Sequence, residues 1–209
     1  MRRDGRERPA RQRRSDGERS RAAILGEATQ LASVEGVEGL SIGRLADAVG
    51  MSKSGLYAHF GSKEELQLAT IDAASEIFAA RVTEPAAAGP AGLARLRTLV
   101  DGYLRYLADE TFPGGCFFAS VLAEVDTHPG PVRDRLVGFL HRWLELLEAV
   151  VREAQAQGAV DAAEDPAQIA FEIEAALLFA NAQHVVARAP EPLERARRAI
   201  ERRLDTSRG

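Results

Sequence analysis

Apolar residues recur at helical spacing along nearly the whole chain, and no stretch alternates apolar and polar residues as a half-buried strand would. Ile24, Leu25, Ala28, Leu31 and Ala32 fall on one face and predict a helix over 18–35 that Gly36 ends. Ser41 can cap a second helix with Ile42, Leu45, Ala46 and Val49 inward, and Gly50 stands where a left-handed residue would stop it. Ser52 can then cap a third helix, with Leu56 and Phe60 on its buried face. Ser62 and Glu65 make the S-x-x-E pattern that opens a long fourth helix, reaching about Val82. The segment TEPAAAGPAG reads as a linker, and five further helices are predicted at 91–108, 115–126, 130–157, 166–188 and 191–204. The fold class is all-α, with a small three-helix unit joined by a long helix to a larger helical domain.

The organising stretch is 41–63, SIGRLADAVGMSKSGLYAHFGSK. A helix, a Gly-containing turn and a second short helix suit a helix-turn-helix, although spacing alone also fits any corner of two packed helices. Small Ala46 permits a close crossing, and Lys53, Ser54, Tyr57 and His59 project from the polar face near a helix N-terminus, where N–H groups favour phosphate. Leu56, Tyr57, His59 and Phe60, followed by Ser62, Lys63, Glu64, Glu65 and Leu66, resemble the recognition helix and following motif of the TetR family of bacterial transcriptional regulators. The resemblance runs from about Glu18 to Ile71, and GGCFFASVLAEVDTHPGPVRDRL resembles the regulatory domain of one subgroup.

This resemblance implies a DNA-binding domain over 18–78, behind a flexible basic arm over 1–17, and a ligand-binding and dimerisation domain over 79–209. It implies contacts with double-stranded operator DNA from Ser41, Arg44, Ser52, Lys53, Ser54, Gly55, Tyr57, His59 and Lys63. Lys53 and Gly55 would lie nearest base edges, with Tyr57, His59 and Lys63 positioning the helix on phosphate. Repression relieved by a small-molecule effector is the family's usual mode, and no cofactor is implied. Relatives carry a large aromatic where Ala32 stands, so Val34 or Val37 is expected to fill that space.

Charge sharpens the division. Residues 1–63 carry a net +4 and the remainder a net −8, so a basic reader faces a polyanion while the acidic part is repelled by it. Only Lys53 and Lys63 are lysine among 27 basic residues, and both lie in the reader. The Arg-dense arm has too few large apolar groups to order itself; it is either an additional phosphate or minor-groove contact or a solvated tail. One cysteine, Cys116, rules out an internal disulfide, and neither a membrane span nor a signal peptide is read from the chain, so a soluble cytoplasmic protein is expected.

The segment 166–188, AQIAFEIEAALLFANAQHVVAR preceded by Pro166, is apolar nearly all round and requires burial on two sides. It is either the central helix of one chain's core or, as the resemblance implies, part of a homodimer bundle with 191–204; Ala176 is the position chosen to test that pairing. The candidate effector residues are Tyr103, Tyr106, Phe112, Cys116, Phe117, Ser120, Phe139, Trp143, Phe171 and Glu174, aromatic walls with a few polar groups. Two alternatives rest on Cys116. It could be a one-thiol redox sensor if a helix N-terminus lowers its pKa, or part of an enzyme with His128, near Glu124 and Asp126. The enzyme reading lacks C-x-x-C, H-E-x-x-H, a phosphate-cradling Gly loop and G-x-S-x-G, and no metal site is expected.

Overall fold

A computed structural model describes residues 10–125 and 129–206, and every regular element among them is helical. The order is α1 (Ala10–Gly39), α2 (Ile42–Ala48), α3 (Lys53–Phe60), α4 (Lys63–Phe78), a π-helical turn (Ala79–Thr83), α5 (Glu84–Ala87), α6 (Leu93–Ala108), α7 (Phe117–Val125), α8 (Pro131–Ala156), α9 (Pro166–Ala187) and α10 (Glu191–Thr206). Serines set three N-termini. The hydroxyls of Ser41, Ser52 and Ser62 accept from the N–H groups of Arg44, Gly55 and Glu65 at 3.2, 3.1 and 3.0 Å, each cap worth about 1 kcal/mol. Gly50 turns the chain between α2 and α3 at φ 67°.

Two boundaries differ from the sequence reading. Residues 10–17, expected in the flexible arm, extend α1 backwards, because Ala, Arg and Gln are good helix formers and lengthening an existing helix needs no new nucleus. The arm's residues 1–9 lie outside the described residues. At its other end α1 kinks at Gly36 (φ 78°, ψ 162°), where the pattern places a stop, and one more turn follows.

The rod that begins at Lys63 was expected to end near Val82, yet helical structure continues to Ala87 through the π-helical turn. The cause is Pro85. It has no N–H for the Arg81 carbonyl four residues back, and its ring crowds that carbonyl, so the preceding turn widens instead of breaking. Gly102 of α6 crosses the widened turn so closely that a Cβ there would stand 3.3 Å from the Val82 Cα.

The apolar residues form two cores. Ile24, Ala28, Leu45, Leu56, Phe60 and Leu66 close a small one beneath α2 and α3, and a larger one runs through α4 to α10. Ala32 and Val37 belong to the larger core, so α1 and α4 serve both units and the seam does not fall between elements. Val37 is fully buried in the same core as Ala32 while Val34 is 63% exposed, so of the two valines only Val37 contributes packing there.

Half of α9 faces the larger core through Ile169, Ile173, Leu177 and Ala180. The other half leaves Phe171, Leu178, Phe179 and Val186 uncovered, the last three carrying 38%, 66% and 87% exposure. Ala176 is partly buried and shares a crevice with Ala199, Ile200 and Arg203 of α10, so it is not on the open face for which it was chosen. α9 also has the length and mean hydropathy (1.2 over 18 residues) of a membrane span, contrary to the sequence reading. In the fold it lies packed between α8 and α10, and its Glu172 pairs with Arg203.

Candidate functional site

The polar face of α3 is open to solvent, where the expected DNA contacts were placed. Ser52, Lys53, Ser54 and Tyr57 are exposed, the tyrosine by 52%, while Leu56 and Phe60 anchor the opposite face. Arg21 of α1 holds the C-terminal end of α3: its Nη1 donates to the His59 carbonyl at 2.8 Å and its guanidinium lies 4.4 Å from the centre of the Phe60 ring. Sequence spacing gave no sign of this brace, because Arg21 sits in an Arg-rich stretch with nothing to distinguish it.

The other expected DNA contacts have local partners. Arg44 pairs with Glu35, and Lys63 Nζ donates to the Glu38 carbonyl at 2.8 Å and lies 3.7 Å from its carboxylate. Lys63 remains about half exposed. A Cβ at Gly55 would stand 3.2 Å from the Ser52 hydroxyl that caps the same helix, a tight contact that owes nothing to DNA.

A cavity of about 70 Å³ lies in the larger core, between α4, α6, α7, α8 and α9. Tyr103, Cys116, Phe139, Trp143 and Glu174, all singled out from sequence, line it. The structure does not bring the other five there. Phe117 is packed against Phe112, the Tyr106 hydroxyl accepts from the Phe117 N–H at 3.4 Å, and Ser120 donates to the Gly114 carbonyl. Phe171 stands on the open face of α9, 65% exposed. Phe112 borders a separate crevice with His184 and Arg188.

Phe78, Phe118, Leu122, Leu136, Leu140 and Leu178 complete most of the cavity wall and were not anticipated. Phe78 matters most. The last residue of the rod, it meets Tyr103, Tyr106, Phe118, Phe139 and Trp143 edge-on, with ring centres 5.2 to 6.0 Å apart. Phe78 follows Ile71 and Ala74 at helical spacing on one buried face, which in the sequence is ordinary core periodicity and carries no signal.

The polar atoms in this cavity are few. Trp143 Nε1 donates to Glu174 Oε2 at 2.7 Å, and burial raises the Glu174 carboxyl above the ordinary glutamate range, the indole bond offsetting part of that rise. The Tyr103 hydroxyl, beside the Cys116 thiol, is buried without a hydrogen-bond partner of good geometry. Burial pushes the Cys116 thiol up. A redox sensor needs an accessible thiol with a lowered pKa, and Cys116, although immediately before α7, is buried, so the structure lends the thiol-sensor alternative no support.

Glu124, weighed as a catalytic neighbour of Cys116, is occupied elsewhere. Its carboxylate accepts from the N–H of Val37 at 2.8 Å and of Glu38 at 3.0 Å, just past the Gly36 kink. Gly36 is required there twice over, by its positive φ and because a Cβ would stand 2.3 Å from Glu124 Oε2. Gln67 Nε2 of the rod donates to the Val37 carbonyl at 2.9 Å, and Gln30 and Ser33 of α1 bond Thr111 and Gly114 ahead of α7. Thus α7, a wall of the cavity, is fastened to the corner that leads into α2. Asp126 and His128 lie outside the described residues, and among the described residues no three His, Cys, Asp or Glu side chains converge on a metal position.

Residues 24–70 match the family described as bacterial regulatory proteins, tetR family, and residues 92–200 match the tetracyclin repressor-like C-terminal domain. A curated relative, the transcriptional regulator AcuR of Cereibacter sphaeroides, is 29% identical over 137 residues, covering 65% of this chain and 63% of its own length. Among solved structures, a TetR transcriptional regulator from Chloroflexus aurantiacus superposes with a TM-score of 0.82 at 26% identity, covering 89% of this chain and 94% of the other. AibR, solved in complex with isovaleryl coenzyme A and operator DNA, gives a TM-score of 0.65 at 26% identity over 78% of this chain and 86% of its own.

Proposed function

The chain belongs to the TetR family of DNA-binding transcriptional regulators, and from that premise we propose that it is a repressor which a small molecule, bound in the Phe78–Trp143 cavity, releases from a pseudo-palindromic operator. The observation that carries this reading is the rod. α4 starts beside the recognition helix at Lys63 and ends about 24 Å away with Phe78 in the cavity wall. Anything that enlarges the cavity presses on the residue that terminates the rod. Glu124 gives a second mechanical tie, from α7 to the corner before α2.

A ligand lowers DNA affinity only by favouring a conformation with a displaced reader. In a twofold dimer the two recognition helices must sit about 34 to 36 Å apart, one turn of DNA, so a small tilt of each rod prevents simultaneous docking. Family members act as dimers, and the uncovered Phe171, Phe179 and Val186 on α9 supply an apolar face for pairing with the same helix of a second copy. AibR, with both isovaleryl coenzyme A and operator DNA in its crystals, supports a chain with both kinds of partner. The protein would act in the cytoplasm, where its operator is.

The test is a reciprocal titration. Trp143 is the only tryptophan and lines the cavity, so its fluorescence reports filling. A coupling of about 1 to 3 kcal/mol lowers operator affinity roughly 5- to 150-fold and, by linkage, lowers effector affinity by the same factor when operator is bound. Equal effector affinity with and without operator DNA would end the release model.

A further inference from the structure

The cavity has a chemical bias that narrows what fills it. Its wall carries five aromatic rings, those of Phe78, Tyr103, Phe118, Phe139 and Trp143, and one acidic side chain, Glu174. No basic side chain lines it. Arg142 lines only the adjoining groove, which shares Phe78, Phe139 and Trp143 as a wall. An anion entering here would meet a carboxyl group and no counter-charge in a low-dielectric space, and would lose its hydration for nothing. A cation would meet aromatic rings and a carboxyl group together, the combination that recognises alkylated ammonium groups. One indole N–H covers only one of the roughly four lone-pair sites of the Glu174 carboxylate. The buried Tyr103 hydroxyl, with the Cys116 thiol beside it and no hydrogen bond of good geometry, is a second polar group on the same wall.

Resting on the reading of this cavity as the effector site, we infer that its ligand is a compact apolar amine, held as an ammonium ion by Glu174 and Tyr103 with its alkyl part against the aromatic rings. Space for about five water-sized groups limits the buried part to a branched or cyclic alkyl head of roughly that many atoms. In the empty cavity burial favours the neutral Glu174 carboxyl, so an arriving ammonium ion displaces its proton to solvent. The other titratable groups facing Glu174 are Tyr103 from α6 and Cys116 ahead of α7. Burial raises both, so they stay neutral while Glu174 ionises.

Three probes of nearly one shape separate charge from fit: tert-butylammonium, tert-butanol and pivalate, each titrated at millimolar concentration against the full-length protein by Trp143 fluorescence. The ammonium ion should bind at least about tenfold more tightly than the alcohol, and pivalate should not bind. In Glu174→Gln, whose amide oxygen still accepts from Trp143, the ammonium should lose that advantage while the alcohol binds as before, which shows the cavity intact. Calorimetry in buffers of different ionisation enthalpy should record proton release on ammonium binding to the native protein and none in Glu174→Gln. The inference is overturned if tert-butanol or pivalate binds as tightly as the ammonium, if the preference survives Glu174→Gln, or if the ammonium does not bind. Operator release is measured apart: an ammonium that binds with this signature and leaves operator affinity unchanged keeps the ligand class and ends the effector reading. An alcohol that binds best and releases the operator does the reverse.

Discussion

Replacing Glu124 by Ala tests how firmly the cavity wall is fastened to the reader. Its carboxylate makes two charge-assisted hydrogen bonds, at 2.8 Å to Val37 N–H and 3.0 Å to Glu38 N–H, each worth about 1.5 to 3 kcal/mol where water is excluded. Glu38 is exposed, so water replaces the partner of its N–H at little cost. Val37 is wholly buried, and its N–H left unpaired carries a penalty of about 1 to 3 kcal/mol. A loss near 2 to 3 kcal/mol follows, or about 4 to 12 °C in melting temperature for a chain of this size. Melting is compared at one protein concentration, since a dimer's midpoint moves with it. Gly36→Ala attacks the same clamp through its positive φ and a Cβ 2.3 Å from Glu124 Oε2, so the two substitutions together should cost clearly less than their sum. Amide exchange should quicken at Val37 and Glu38 before it does in α8 or α9. A Glu124→Ala protein that melts within about 1 °C of the native one, with unchanged exchange at those two amides, would refute the clamp.

Three further outcomes are expected. Lys53→Ala should weaken operator binding and flatten the salt dependence by about one unit, because Lys53 is exposed on the reading face; an unchanged slope in a salt titration would place it off the DNA. Phe179→Glu, on the open face of α9, should give monomers in sedimentation, whereas Ala176→Glu should chiefly lower the melting temperature by crowding α10; a dimeric Phe179→Glu would move the interface elsewhere. Glu174→Gln should stabilise the protein more as pH rises. The native carboxyl, raised by burial, carries no ionisation penalty below the ordinary glutamate range, accumulates it as pH climbs, and carries it in full above its raised value. A melting difference that shrinks between about pH 4 and pH 8 would contradict that sign.

What could be read from sequence was what short-range chemistry determines. The caps at Ser41, Ser52 and Ser62, and the turn at Gly50, depend on partners within a few residues. Half the cavity's anticipated residues lie on its wall because aromatic and polar types on facing helices are a fair guide to a pocket. Phe78 escaped notice because its importance lies in the five rings it meets, all from helices further along the chain. Glu124 was misread for a similar reason, its partner Val37 being 87 residues away. The open side of α9 could not be chosen from pattern, since a helix apolar all round has no phase until its neighbours are known. Arm residues 10–17 were misjudged because composition describes a segment in isolation, not one growing from a folded helix.

The π-helical turn makes the connection between reader and cavity a matter of angle as well as distance. Each residue of an α-helix advances about 100° around the axis, and a widened turn holds one residue more than the regular spiral would. The turn Ala79–Thr83 follows directly on Phe78, so it sets how the α4 spiral is wound onto the segment that Gly102 grips. Loss of a single residue there would leave the rod's length almost unchanged yet rotate α4, and with it α3, by about a quarter turn relative to α6. Insertions and deletions in this five-residue window are therefore rewindings of a shaft, and a chain that tolerates length changes in its loops has no such latitude here.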